Sequence, residues 1–160
     1  MMNPKRITIP EKKVVGMRST MHHNEYENIV ALWRRFMPQK QKLKTTISDE
    51  LIAMQIFSLQ QDGQPKEEFQ IWACTEVSNF NEIPDLMEAF ILPKGEYAVF
   101  LQKGWDASGL YEQIMTEWLP TSGYEIDDRP HFQVMGEKYN NGSSDSEEDF
   151  YVPIRSIMKQ

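Results

Sequence analysis

The stretch HFQVMGEKY (residues 131–139) and the stretch DFYVPI (residues 149–154) decide the fold that the sequence predicts. Apolar and polar residues alternate in both, and successive strand side chains point to opposite faces. We therefore predict a terminal β-hairpin with an apolar face and a mixed face of aromatic and acidic side chains. The apolar face consists of Phe132, Val134, Phe150, Val152 and Ile154. The mixed face consists of Gln133, Met135, Glu137, Tyr139, Asp149 and Tyr151.

A second strand with the same mixed pattern lies in the first half of the chain, at residues 68–77. There Trp72 and Glu76 share one predicted face, and Phe69, Ile71 and Val77 the other. We expect the two mixed faces to form the two walls of one groove. Interfaces between domain-like units are common ligand sites.

The predicted order of elements is strand, helix, strand, strand, and this order occurs twice, at about residues 10–78 and 85–157. Each helix is predicted from an apolar stripe at helical spacing and carries a Trp near its end. Pro38 and Pro120 are expected to end the two helices. The repeat predicts an α+β fold of duplicated β-α-β-β units with pseudo-two-fold symmetry. Its antiparallel sheet would carry the helices on one face and enclose a central ligand cleft.

Charge and composition limit the classes of function. The net charge is −7, from 17 basic and 24 acidic residues, which argues against a nucleic-acid surface because such a surface needs a basic patch. The single cysteine, Cys74, cannot form an intramolecular disulfide, and a reducing compartment is the default expectation. No apolar run approaches the roughly 20 residues of a membrane helix, and no signal peptide is recognisable. We predict a cytoplasmic protein without a membrane segment.

Motifs for metals and cofactors are missing from the sequence. The pair His22-His23 has no third ligand at metal spacing, and no motif surrounds Cys74. No nucleophile-elbow, P-loop or dinucleotide-binding fingerprint is present. We predict neither a metal nor a cofactor. A glycine in the first long strand, Gly16, is expected to permit a bulge or a close approach of two backbones.

Several segments resemble the gyrase-inhibitor-like effector-binding domains, which also occur as sensor modules of AraC-type and MerR-type multidrug-responsive regulators. The resemblance rests on EKKVVGMR (residues 11–18), GEYAVF (95–100) and WLPTSGY (118–124). It is strongest at EKY (137–139) followed by YVPI (151–154). These segments occur in the order and spacing of that family and together cover nearly the whole chain.

The resemblance implies a central cleft for amphipathic, often cationic, small molecules, with a buried acid. The family acid commonly lies two residues before the aromatic residue of the terminal strand, which places it at Asp149 before Tyr151. A second family acid falls on Gln133, which loses the charge, and Glu137 on the same predicted face could compensate. Too few residues precede the first strand for a helix-turn-helix. We therefore expect a standalone single domain, residues 1–160, without a DNA-binding domain or direct nucleic-acid binding.

A lipophilic cation requires aromatic faces, which attract it through the ring quadrupole, and a carboxylate in a low-dielectric wall. The candidates for these two roles come from the mixed faces and from one loop. The predicted ligand-binding residues are Trp72, Glu76, Trp105, Gln133, Glu137, Tyr139, Asp149 and Tyr151.

Three functions remain open at this level. The first is a non-catalytic module that binds small amphipathic molecules as a sensor or sequestering protein. The second is a small-ester hydrolase, in which Glu137 acts as general base and Tyr139 or Tyr151 donates to the developing oxyanion. The third is a protein-interaction role such as inhibition of a topoisomerase. Ester turnover that disappears in Glu137→Gln would select the second, and a thermal shift with cationic dyes would support the first.

Overall fold

The structure is a computed structural model that describes residues 4–22, 25–57, 67–103, 108–135 and 147–157. Within these ranges, no helix is long and apolar enough to cross a membrane. The elements are β1 Lys5–Ile9, β2 Lys12–His22, α1 Tyr26–Lys40, β3 Leu51–Ile56, β4 Glu68–Val77, β5 Glu88–Leu92, β6 Gly95–Lys103, α2 Ser108–Gln113, a π-helical turn Ile114–Trp118, α3 Leu119–Ser122, β7 Tyr124–Ile126, β8 His131–Met135 and β9 Glu147–Ser156.

The sheet confirms the predicted α+β fold with a repeated order of elements. Its nine described strands run in the order β1-β6-β9-β8-β3-β4-β2-β5, and β7 pairs with β9. All of the pairings are antiparallel. If β1 is exchanged with β5, β2 with β6, β3 with β8 and β4 with β9, the same strand order results, read from the opposite edge of the sheet. The topology of the sheet is therefore two-fold symmetric, and β3 and β8 pair at its centre.

Short connections join strands that lie at opposite ends of the sheet. Two residues link β1 to β2, and two link β5 to β6. Because β1 pairs with β6 and β2 pairs with β5, each link ties one end of the sheet to a strand near the other end. Ile9 of β1 and Leu92 of β5 accordingly belong to one buried cluster. The sheet curls, and this cluster fills the inside of the curve.

The two faces of the sheet carry different layers. On the helix face, α1 packs on β2 and β4, with Leu32 and Phe36 fully buried. Ile114 of the second helical segment joins Phe100 and Phe150 on the same face. On the inner face, the buried cluster consists only of strand residues. Its members are Ile9, Val14, Ile52, Met54, Trp72, Cys74, Leu92, Tyr97 and Phe132, with Ile56, Phe90, Val134 and Tyr151 partly buried beside them.

The predicted faces of the terminal hairpin are wrong in one respect. Phe132 lies directly opposite Tyr151, and Gln133 lies directly opposite Phe150. Phe132 therefore shares the inner face with Tyr151, whereas Phe150 points to the helix face. Alternation assigns residues to faces within one strand, but the register between two strands decides which faces coincide. A shift of one residue in this register would bring the opposite set of side chains of β9 onto the inner face.

Neither helical segment ends at its proline. Pro38 lies inside α1, which continues to Lys40, because a proline in the last turn removes only one hydrogen bond. In the second segment, the N–H of Leu119 donates to the carbonyl of Ile114, five residues back. This wide turn directly precedes Pro120, which has no N–H to donate, and helix α3 continues to Ser122.

The expected close approach at Gly16 is confirmed. A Cβ atom added to Gly16 would lie 2.0 Å from the carbonyl oxygen of Ala73 on the paired strand β4. It would also lie 2.5 Å from the Cα atom of Cys74. The contacting atoms belong to the backbone and cannot move aside, so this position accepts only glycine.

Candidate functional site

A row of large side chains crosses the inner face from β4 to β9. Trp72 pairs with Met54, Met54 pairs with Phe132, and Phe132 pairs with Tyr151. Paired residues of neighbouring strands point to the same face, and neighbouring strands lie about 4.8 Å apart. Trp72 and Tyr151 thus stand roughly 14 Å apart along the sheet, a span that suits a multi-ring organic molecule.

Aromatic rings pack against each other at both ends of the row. Phe132 and Tyr151 are stacked, with ring centroids 4.4 Å apart and an angle of 11° between the planes. Tyr97 meets Phe132 edge to face at 5.2 Å. At the other end, Trp72 lies 5.5 Å from Phe90. These groups come from both halves of the fold.

The aromatic and apolar side chains of the inner face differ in their exposure to solvent. Trp72 and Phe132 are only 4% and 1% exposed, because their neighbours on the curled sheet cover them. Phe90, Val134 and Tyr151 remain partly exposed. Together with Ile56, these side chains are the accessible edges of the inner face among the described residues.

Two carboxylates act on the hydroxyl of Tyr151. Burial is the main cause that raises the pKa of Tyr151, and the negative charges of Asp149 and Glu50 raise it further. The hydroxyl is consequently protonated at neutral pH and available as a hydrogen-bond donor. Asp149 faces inward opposite Val134 but is itself exposed. It is an acid at the edge of the inner face, not the buried acid that the resemblance implies.

Two further carboxylates of the inner face, on the described strands β4 and β5, form ion pairs. The Nζ atom of Lys12 lies 3.3 Å from Oε1 of Glu76, and both side chains are 28% exposed. The Nε atom of Arg18 lies 2.8 Å from Oε2 of Glu88, a more exposed pair. All four residues belong to β2, β4 and β5, on the Trp72 side of the face.

Arg129 holds Tyr97 in place beneath the aromatic group. Its guanidinium carbon lies 4.7 Å from the centroid of the Tyr97 ring. The same guanidinium donates to the carbonyls of Glu96 and Ile154 at 2.8 and 3.0 Å and to Asp127 at 2.8 Å. It thereby ties β6, β9 and the turn before β8 together. Arg129 thus supports Tyr97, a member of the inner-face cluster, from the turn before β8.

The structure brings together four of the eight predicted ligand-binding residues. Trp72, Glu76, Asp149 and Tyr151 all lie on the inner face. Trp72 belongs to the buried row, and its indole N–H donates to Gln70 at 3.2 Å.

One of the other four predicted residues, Gln133, does not join this group. Gln133 lies on the helix face, opposite Phe150 and Ala53, where its Oε1 accepts a bond from Gln55 at 3.5 Å. Its predicted position beside Tyr151 was wrong because the register of the hairpin differs by one residue from the expected one. Trp105, Glu137 and Tyr139 lie outside the residues that the structure describes.

Sequence reasoning missed several residues of the site. Phe132 was taken for ordinary core, and Phe90 and Tyr97 were not singled out, although all three line the aromatic groups. The position of Glu50 near Tyr151 depends on the packing of β3 between β4 and β8. No local motif marks it in the sequence.

A metal centre has no support among the described residues. They contain no group of three or more His, Cys, Asp or Glu side chains that could hold an ion. Cys74 is fully buried on the inner face, and its Sγ donates to the carbonyl of Ile52 at 3.5 Å. Burial raises the pKa of its thiol far above the ordinary value, so the thiol is unreactive.

Comparison of the sequence with known families and proteins gives two matches. The model of the Cass2 family, integron-associated effector binding protein, matches residues 7–154. The transcriptional regulator BrlR of Pseudomonas aeruginosa is 27% identical over 165 residues, which is 96% of this chain and 56% of BrlR. The chain therefore spans little more than half the length of this relative.

Comparison of the structure gives the same fold. SAV2435 bound to tetraphenylphosphonium superposes with a TM-score of 0.71 and 16% identity, covering 96% of this chain and 94% of SAV2435. The integron cassette protein VCH_CASS2 of Vibrio cholerae superposes with a TM-score of 0.66 and 13% identity. That alignment covers 94% of this chain and 95% of the cassette protein.

Proposed function

Because the chain belongs to the Cass2 family of integron-associated effector-binding proteins, we propose that its inner face binds small amphipathic molecules that carry a positive charge. The protein would act as a sensor or a sequestering protein, with residues 10–78 and 85–157 supplying the two walls. The observation that carries the proposal is the row of large side chains from Trp72 to Tyr151, with aromatic rings at both ends and carboxylates at its accessible edge. A cytoplasmic location remains a prediction from the sequence.

Shape and chemistry of the row support an organic ligand with several rings. The partly exposed rings of Phe90 and Tyr151 offer faces and edges for stacking, and each such contact contributes about 0.5–1.5 kcal/mol beyond the area that it buries. Structural support comes from SAV2435, which has this fold and binds tetraphenylphosphonium, an aromatic monocation.

Electrostatics at Tyr151 support a cationic group on the ligand. Asp149 and Glu50 both act on the Tyr151 hydroxyl, and the ring itself attracts a cation through its quadrupole. A cation at this point would meet an aromatic face and two carboxylates together. Such a combination contributes roughly 1–2 kcal/mol even at a partly exposed site.

Calorimetry with one cationic and one neutral compound tests the proposal. We expect tetraphenylphosphonium to bind about tenfold more tightly than the neutral triphenylphosphine oxide, because only the cation gains from Asp149 and Glu50. Asp149→Asn should weaken tetraphenylphosphonium three- to tenfold, or about 0.7–1.4 kcal/mol, and leave the neutral compound unchanged.

Asp85→Asn is the matched control, since Asp85 is an exposed aspartate in the turn before β5. It removes the same charge from the whole protein and should leave both affinities unchanged. Equal affinity for the cation and the neutral compound would refute the cationic preference, and the absence of binding by both would refute the proposal as a whole.

The hydrolase alternative has one described residue in its favour. Tyr151 is protonated at neutral pH and could donate to an oxyanion on the inner face. The proposed base Glu137 and the second tyrosine, Tyr139, lie outside the described residues. Hydrolysis of a panel of small esters by the wild type, and its loss in Glu137→Gln and Tyr151→Phe, would favour this reading over binding alone.

A further inference from the structure

The carboxylates of the inner face fall into two groups with different electrostatic surroundings. On the Trp72 side, Glu76 pairs with Lys12 and Glu88 pairs with Arg18. On the Tyr151 side, Glu50 and Asp149 have no basic side chain within salt-bridge distance in the described part of the chain. Among the described side chains, the charges are therefore paired at the Trp72 end of the face, and the carboxylates are unpaired at the Tyr151 end.

Lys12 lies on the inner face, on the Trp72 side, where the carboxylates form ion pairs. It lies opposite Leu92, which is fully buried, and Glu76 lies opposite Val14, which is also fully buried. The ammonium and the carboxylate thus meet above an apolar floor, and each side chain is nearly three-quarters covered. Screening by solvent is weaker there than at an ordinary surface pair such as Arg18 with Glu88.

We propose that Lys12 is a specificity-determining residue. Its ammonium pairs with Glu76 in the place that a cationic group of a ligand would otherwise take. The inner face therefore accepts a ligand with one positive charge, bound at Tyr151, and rejects dications. The inference rests on the proposed binding of cationic ligands. It adds the orientation of the ligand, with its charge at Asp149 and Glu50 and its apolar body toward Trp72 and Phe90. It also adds a limit on the charge of the ligand.

The limit follows from Coulomb interactions across the row. A second cationic group reaching the Trp72 side would meet the Lys12 ammonium, and Glu76 is already neutralised by it. Replacing Lys12 by methionine keeps the apolar stem and removes the ammonium. Glu76 would then be an unpaired carboxylate beside buried apolar side chains, and it would form a second binding site for a cationic group.

The test compares a monocation with a dication of the same chemical type. Tetraphenylphosphonium and p-xylylenebis(triphenylphosphonium) are titrated by calorimetry into the wild type and into Lys12→Met. We expect Lys12→Met to shift the ratio of the two affinities about tenfold in favour of the dication. Adding Glu76→Gln to Lys12→Met should return the ratio to within about twofold of the wild-type value, because the second binding site is lost.

Lys13→Met is the matched control, since Lys13 is the exposed neighbour of Lys12 and points to the other face of the same strand. It changes the net charge equally and should leave the ratio unchanged. A ratio that does not move in Lys12→Met, or that moves equally in Lys13→Met, would overturn the inference while binding itself persists. Failure of the wild type to bind either compound would overturn the proposed function and this inference together.

Discussion

Phe132 and Tyr151 are cross-strand partners on the inner face, and their stacked rings have centroids 4.4 Å apart. The alternation along the chain had assigned Phe132 to an apolar face and Tyr151 to a mixed face. Phe132 is 1% exposed, whereas Tyr151 keeps an accessible edge beside Asp149. The stack therefore joins the buried core to the surface at which a ligand would arrive. A change in its buried member should alter both stability and binding.

Replacing Phe132 by leucine tests this connection. The substitution keeps an apolar side chain but removes the stacking, and it should lower the free energy of unfolding by about 1–2 kcal/mol. We also expect a roughly tenfold loss of tetraphenylphosphonium affinity, because Tyr151 loses the ring that holds its plane. Urea unfolding and calorimetry measure the two effects.

Phe100→Leu separates stability from binding. Phe100 is equally buried, lies on the helix face and meets Trp118 edge to face at 5.4 Å. It should lose a similar free energy of unfolding and retain its affinity for tetraphenylphosphonium. A parallel loss of affinity in both variants would show that the effect of Phe132 is general destabilisation.

A methyl group at Gly16 should destabilise the pairing of β2 with β4. Gly16→Ala places a Cβ 2.0 Å from the backbone of Ala73, so the two strands must separate, and we expect a loss of more than about 2 kcal/mol. Gly123→Ala is the comparison. Gly123 has φ 82° but nothing within 4 Å of an added Cβ, so only backbone strain of about 1 kcal/mol applies. An equal effect in chemical denaturation would contradict the close approach at Gly16.

Leu86 adopts a backbone conformation that leucine disfavours. Its φ is 76° and it is 78% exposed, in a turn closed by the N–H of Met87 donating to the carbonyl of Pro84 at 3.1 Å. Leu86→Gly should be more stable than Leu86→Ala by about 1 kcal/mol, because only glycine relieves the strain. Alanine serves as the control for loss of the side chain. A glycine variant less stable than the alanine variant in thermal unfolding would argue against strain.

His131 should make the protein sensitive to mild acid. Burial, and then the positive charge of Arg129, lower the pKa of His131 to about 4. The unfolded chain titrates near 6.5, so it binds a proton that the folded protein refuses. The free energy of unfolding should therefore fall as the pH drops from about 6.5 to about 4, by on the order of 3 kcal/mol.

Urea unfolding between pH 4 and pH 7 measures this slope. In His131→Gln the part due to the histidine should disappear, so that stability varies less over the same range. An unchanged slope in His131→Gln would mean that other groups cause the acid sensitivity.

The sequence alone determined the element order, the two helical stripes, the close approach at Gly16 and the alternating faces within each strand. These features depend on neighbours along the chain, through the periods of helix and strand and the missing Cβ of glycine. The same local logic made Trp72 and Tyr151 candidate ligand-binding residues, and the family resemblance pointed to Asp149; all three lie on the inner face.

Only the tertiary structure decided which faces coincide. Gln133 left the site and Phe132 entered it because the register between β8 and β9 is set by the whole sheet. The contact of Lys12 with Glu76 joins residues 64 positions apart, and the charge of Glu50, next to β3, raises the pKa of Tyr151 on β9. Such contacts arise when distant strands are brought together, and no periodicity along the chain encodes them.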